Sequence, residues 1–196
     1  MIHNFRSIFS YVENDTENEN DNENGYENEI ENFVREIEVD PLEYNSRSYR
    51  SGFNCGGFAL QTLDWYMPES WVEHRDARFE EEYNVIKAFE RCSFEVERDY
   101  NARYDGIDKL VPIDHYSDAP VGVEVVAFRL AYDELQDEDT GELYYEMDDF
   151  HFAWRDAKGK WWDKPGWGDV KELGTDPEED WNGRYDGPIT WYAKVS

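Results

Sequence analysis

Asp148-Asp149-Phe150-His151-Phe152-Ala153-Trp154-Arg155-Asp156-Ala157-Lys158-Gly159-Lys160-Trp161-Trp162-Asp163-Lys164-Pro165-Gly166 is the stretch on which the fold turns. It is dense in aromatic residues, which favour a pleated backbone. Asp156-Ala157-Lys158-Gly159 has the composition of a tight turn, and Pro165-Gly166 stops the returning run. The stretch therefore reads as an antiparallel hairpin. With Ala157-Lys158 at the turn and Gly159 as a bulge, residue 153 pairs with residue 163. Asp163 then shares a face with His151 and lies diagonal to it. A slip of one residue would turn Asp163 to the opposite face.

Outward from this hairpin the same period continues. Val121 to Tyr132 is rich in Val and aromatic residues, and Ile189-Thr190-Trp191-Tyr192-Ala193-Lys194-Val195 reads as a closing strand. Towards the N-terminus the period becomes helical. Asn54 is a good N-cap, and Phe58, Ala59, Thr62, Leu63 and Tyr66 follow at helical spacing before Pro68. A longer helix is predicted over about Ala77 to Tyr100, with a break near Ser93 and an apolar stripe of Phe79, Tyr83, Ile86, Phe89 and Val96. Cys92 falls on that pattern as a buried core thiol. Helices first and antiparallel strands afterwards read as an α+β fold.

The chain has 196 residues, with 8 Trp, 14 Tyr and 11 Phe able to fill one core. Residues 1–45 read as an acidic, flexible arm, Asn/Glu-rich over 13–31, and residues 46–196 as the folded domain. Within the arm, Asn20, Asn22, Asn24, Gly25, Tyr26, Asn28 and Glu31 are spaced as in a calcium-binding loop. Asn at the first position and Glu27 at the usually apolar eighth favour a solvated arm instead.

The 47 acids against 19 bases give a net charge of −28. The first 45 residues carry 13 acids and 2 bases, the rest 34 and 17, so the charge is not confined to the arm. Such a surface repels phosphate, which argues against direct binding of nucleic acid or of an anionic membrane, and it attracts basic partners. Two cysteines, the lack of a signal-like N-terminus and the lack of a long apolar run point to the cytoplasm, or to the host cytoplasm for a phage product. No cofactor is implied. His3, His74 and His115 have no companions at metal-ligand spacing, so no metal site is read.

Three residues form a candidate catalytic set. Cys55 opens a predicted helix, where the helix terminus favours a thiolate. Gly56 and Gly57 beside it would leave room for a substrate backbone, and the backbone amides of this turn, with Asn54 as neighbour, could hold an oxyanion. His151 on a rigid strand is a candidate base, and Asp163 its orienter. Trp162, with Trp161 and Trp167, is a candidate for lining a substrate groove, although hairpin packing accounts for Trp161 and Trp162 equally well.

Asn54-Cys55-Gly56-Gly57-Phe58-Ala59-Leu60, the strand Glu124-Val125-Val126-Ala127-Phe128-Arg129, and the His151 and Gly159-Lys160-Trp161-Trp162-Asp163-Lys164-Pro165-Gly166 segments together resemble the papain-like cysteine-hydrolase superfamily, nearest its small bacterial and phage branches. The hairpin is also similar to transglutaminase-like domains, whose Asp usually falls a few residues later, where this chain has Lys164-Pro165-Gly166. The resemblance spans about residues 50–166. It implies a papain-like fold, with the Cys at a helix start packed on an antiparallel sheet. Cys55 is then the nucleophile, His151 the base and Asp163 the orienter. The implied activity is hydrolysis or acyl transfer at an amide or thioester bond of a protein or peptide. The alternative is non-enzymatic: an acidic inhibitor that mimics nucleic acid and occupies a basic host protein, similar in composition to phage anti-restriction and anti-CRISPR proteins.

Overall fold

The computed structural model describes residues 40–45, 51–105, 107–181, 185 and 187–196. Residues 1–39 of the arm, with their calcium-loop spacing, lie outside the described residues. The folded unit begins at Asp40, not at residue 46 as expected from composition. Residues 40–45 belong to the domain because a short 3-10 turn, Pro41–Asn45, is tied to it. Pro41 is buried, Tyr44 packs edge-on against Phe53 and Phe58, and the Asn45 side chain exchanges hydrogen bonds with the Val170 backbone.

The domain mixes helices with an antiparallel sheet. Helices α1 (Cys55–Ala59), α2 (Glu69–His74) and α3 (Glu82–Arg103) come first, with the short strand β1 (Arg78–Phe79) between α2 and α3. Then come β2 (Lys109–Ile113), β3 (Val125–Gln136), β4 (Leu143–Arg155), β5 (Trp161–Asp163), β6 (Lys171–Glu172), α4 (Pro177–Asp180) and β7 (Ile189–Val195). The spatial order is β2-β7-β3-β4-β5-β6, with β1 beside β4, and every pairing is antiparallel. The closing strand thus inserts between β2 and β3.

Side chains on β4 alternate between the two faces of the sheet. Phe150, Phe152 and Trp154 join α1 and α3 in the larger core, where Phe128 stacks between Phe89 and Phe152. Ala153 faces a second cluster built from Val125, Ala127, Trp161, Trp181, Tyr185 and Trp191.

Two helical expectations are corrected. The α1 helix lasts only from Cys55 to Ala59, and the period through Tyr66 is not helical. Gln61 and Leu63 take left-handed φ values of 57° and 52°, and the chain doubles back on the helix. Gly57 permits this return, since a Cβ there would lie 1.8 Å from the Asp64 carbonyl oxygen. The long helix starts at Glu82 and runs unbroken past Ser93. Its buried stripe is Val85, Ala88, Phe89, Cys92, Glu95, Val96 and Tyr100, rotated from the predicted one, and Tyr83 is exposed. Helix α2, an element the sequence did not suggest, covers part of this face. Its first turn is tied to α3 by Ser70, whose N–H and Oγ donate to the buried Glu95 carboxylate at 2.9 and 2.6 Å. No helix among the described residues is long and apolar enough to cross a membrane.

Candidate active site

The hairpin that carries His151 and Asp163 has the predicted register. Ala153 pairs with Asp163, Trp154 with Trp162 and Arg155 with Trp161. The turn explains why. Asp156 N–H donates to the Lys160 carbonyl, Gly159 N–H donates to the Asp156 carbonyl, and Gly159 has φ +88°. The Asp156 side chain fixes the same turn by accepting from the Lys158 and Lys160 amides, both at 2.9 Å. Gly159 is thus the bulge that sets the pairing.

β5 covers β4 only over residues 153–155, and β1 covers it only at residues 145–146. Between them one edge of β4 has no strand partner among the described residues. His151 sits in this gap, directly across from Arg129 on β3. Helix α1 packs against β4 there, which brings its first residue to the imidazole. His151 Nε2 is hydrogen-bonded to Asp163 Oδ1, and the Cys55 sulfur lies close enough to act on the imidazole. With Nε2 committed to Asp163, Nδ1 is the ring nitrogen left for the sulfur. All three residues are buried, with Cys55 5 %, His151 4 % and Asp163 3 % exposed.

The electrostatics follow from that packing. Burial by itself pushes the His151 imidazole down, but the Cys55 sulfur and the Asp163 carboxylate outweigh it and raise its pKa to about 10. Burial pushes the Asp163 carboxyl up, yet His151 and Lys171, whose Nζ lies 3.4 Å from Oδ2, hold it below the usual carboxylate range. Cys92 is the contrast: burial and Glu95 raise its pKa to about 12, which makes it an inert core thiol.

The remaining candidates take other positions. Asn54 caps α1 by accepting from Gly57 N–H at 3.0 Å. The same side chain clamps the returning loop, accepting from Tyr66 N–H at 3.1 Å and donating to the Tyr66 carbonyl at 2.6 Å. The space beside Gly56 and Gly57, read as room for substrate, is filled by this chain itself. A Cβ at Gly56 would lie 3.0 Å from both Tyr66 Cδ1 and the Tyr66 carbonyl oxygen. Trp162, read as a groove residue, is buried in the larger core with its indole N–H donated to Asp156 at 2.9 Å. Trp167 is 66 % exposed and packs at 4.4 Å between ring centroids against Trp65.

Sequence reasoning missed two neighbours of His151. Tyr185 stacks on His151 at 5.2 Å with 11° between the planes, and Trp181 meets it edge-on at 5.0 Å. Tyr185 Oη also donates to Asp149 Oδ2 at 3.0 Å. Both come from a turn-rich segment more than twenty-five residues downstream, and no local pattern marks them. The adjacent Lys164 is fully buried, donates to the Gly166 carbonyl at 2.5 Å and has its ammonium 5.0 Å from the Phe53 ring centroid. Among the described residues, no three His, Cys, Asp or Glu side chains gather as a metal ion would require. Comparisons with family models, with curated proteins and with solved structures gave no match to this chain.

Proposed function

We infer that the domain is a papain-like cysteine hydrolase or acyl transferase that acts on an amide or thioester bond of a protein or peptide. The observation that carries this reading is the buried grouping of Cys55, His151 and Asp163, with His151 hydrogen-bonded to Asp163 and the Cys55 sulfur close enough to act on the imidazole. A nucleophile at a helix start, a base on a strand and a carboxylate orienting that base form the arrangement covalent acyl transfer needs. The same fold in a reducing, cytoplasmic setting keeps Cys55 and Cys92 as the free thiols they are here.

In this mechanism the Cys55 thiolate attacks the substrate carbonyl carbon, forming a C–S bond while the carbonyl π electrons move to oxygen. The resulting oxyanion would be met by backbone N–H groups in the first turn of α1, which have no intrahelical acceptor. Gly57 N–H is excluded from that role because Asn54 already accepts from it. His151 gives its proton to the departing nitrogen or sulfur as that bond breaks. It then takes a proton from water, or from an acceptor nucleophile, which attacks the thioester and regenerates Cys55. Asp163 remains ionised and holds the ring in place. Since Cys55 is 5 % exposed, the site must open before substrate reaches the sulfur.

The test is Cys55→Ala together with alkylation of the wild type by iodoacetamide. The variant keeps its fold and loses all activity, and Cys55 is labelled well ahead of Cys92. Equal, slow labelling of both thiols in the folded protein overturns the reading. In that case the net charge of −28 supports the alternative, an acidic module that occupies a basic partner.

A further inference from the structure

Trp65 and Trp167 form an aromatic pair that neither core explains. They stand on separate loops, their ring centroids are 4.4 Å apart, and they are 39 % and 66 % exposed. A tryptophan left two-thirds in water is an informative exposure, because the indole loses the burial that usually accounts for its presence. Met67, 37 % exposed, extends the same loop.

Each loop leads directly to the candidate site. Trp65 precedes Tyr66, whose N–H and carbonyl are both held by Asn54, the residue before Cys55. Trp167 follows Asp163 by four residues, through the buried Lys164 and its hydrogen bond to Gly166. The pair therefore joins the loop that follows the nucleophile's helix to the loop that follows the orienter's strand. No cation among the described residues lies over either ring, whereas Tyr83, Tyr116 and Tyr144 are each approached by one. Acidic residues border the pair in the sequence, with Glu69 after Met67 and Asp169 after Trp167, while Asp64 before Trp65 is already paired with Arg103 at 2.6 Å.

We propose that the Trp65–Trp167 pair is the docking surface for a basic peptide segment, with an Arg or Lys side chain seated on the exposed indole face beside the Cys55 site. The partner's chemistry follows from two features on the same surface. Indole faces attract guanidinium and ammonium groups, and a domain with 34 acids against 17 bases beyond residue 45 draws cationic chains towards itself. An anionic or purely apolar segment gains nothing from the second feature. This inference relies on the cysteine-hydrolase reading only for what happens to the segment after it binds.

The experiment uses the full chain carrying Cys55→Ala, titrated with a fluorescein-labelled Arg/Lys-rich decapeptide and with its citrulline/acetyl-lysine counterpart. Tryptophan emission and anisotropy are both followed. The basic peptide binds and quenches tryptophan emission, and the neutral counterpart binds at least 10-fold more weakly. Adding Trp167→Ala weakens the basic peptide by about 3- to 10-fold, while Trp167→Phe recovers part of that loss. Trp167 is exposed, so the variants keep the wild-type melting temperature, which serves as the folding control. Equal binding of the two peptides, or no change with Trp167→Ala, overturns the proposal. Cys55 reactivity is read separately, by iodoacetamide labelling of the wild-type chain: Trp167-dependent binding with an unreactive Cys55 upholds the docking surface and removes the hydrolase. A reactive Cys55 with no effect of Trp167 does the reverse.

Discussion

Replacing Asp163 with Asn removes one charge from the buried set with almost no change of shape. The raised imidazole measures what is lost. His151 moves from 6.5 to about 10, and every tenfold gain in proton affinity is worth about 1.4 kcal/mol. Cys55 and Asp163 share that stabilisation against burial, so removing the carboxylate costs about 2 kcal/mol near neutral pH. The dependence on pH has a definite sign. A carboxyl held below its ordinary value stabilises the fold above that value, and the contribution is lost as pH falls through the folded value. An imidazole raised above 6.5 stabilises the fold below 6.5, and that contribution is lost as pH rises through about 10. The penalty for Asp163→Asn is therefore widest between about pH 4 and pH 6.5, shrinks steadily from pH 6.5 to about pH 10, and narrows again as pH falls below the carboxyl's ordinary value of 3.8. Urea denaturation of both proteins at pH 7 and at pH 10.5 measures it, with a midpoint change of about 1 M expected at pH 7. Groups that titrate identically in both proteins cancel in the difference. A penalty that is the same at both pH values refutes the coupled pair.

Three more perturbations probe the local scaffold. Gly57→Ala drives a Cβ to 1.8 Å from the Asp64 carbonyl and costs about 3 kcal/mol or more, so a wild-type melting temperature would contradict the packing of the returning loop. Asn54→Ala removes the α1 cap and both links to Tyr66, lowering stability by about 2 kcal/mol and slowing alkylation of Cys55 by displacing the helix start. Cys92→Ser puts a hydroxyl where the side chain is 0 % exposed, costing about 1–3 kcal/mol in denaturant titrations with no change in Cys55 labelling.

The hairpin was legible because its information is local. Gly159 in a four-residue turn determines the pairing, and the two-residue alternation then assigns Asp163 and His151 to one face. The Asn54 cap was legible for the same reason, since it acts three residues away on Gly57. What followed Ala59 was not, because Thr62, Leu63 and Tyr66 keep helical spacing while the missing side chain at Gly57 lets the loop fold back. The stripe on α3 was misread because Tyr83 and Phe79 fit the period as well as Val85 and Ala88 do. Long-range contacts, Phe89 stacked on Phe128 and Ser70 donating to Glu95, decide which side faces inwards. Tyr185 and Trp181 reach His151 through tertiary contact alone.

The bulged turn at Gly159 makes the candidate site sensitive to chain length in a way that side-chain chemistry is not. Inserting or deleting one residue between Arg155 and Trp161 would leave every functional group in the sequence and still present Trp162 or Lys164 to His151 in place of the carboxylate. Two residues gained or lost would restore the face but move the carboxylate along the strand by about 7 Å, beyond hydrogen-bonding reach. The segment from 156 to 160 thus acts as a spacer whose residue count, more than its composition, decides whether His151 has a carboxylate partner.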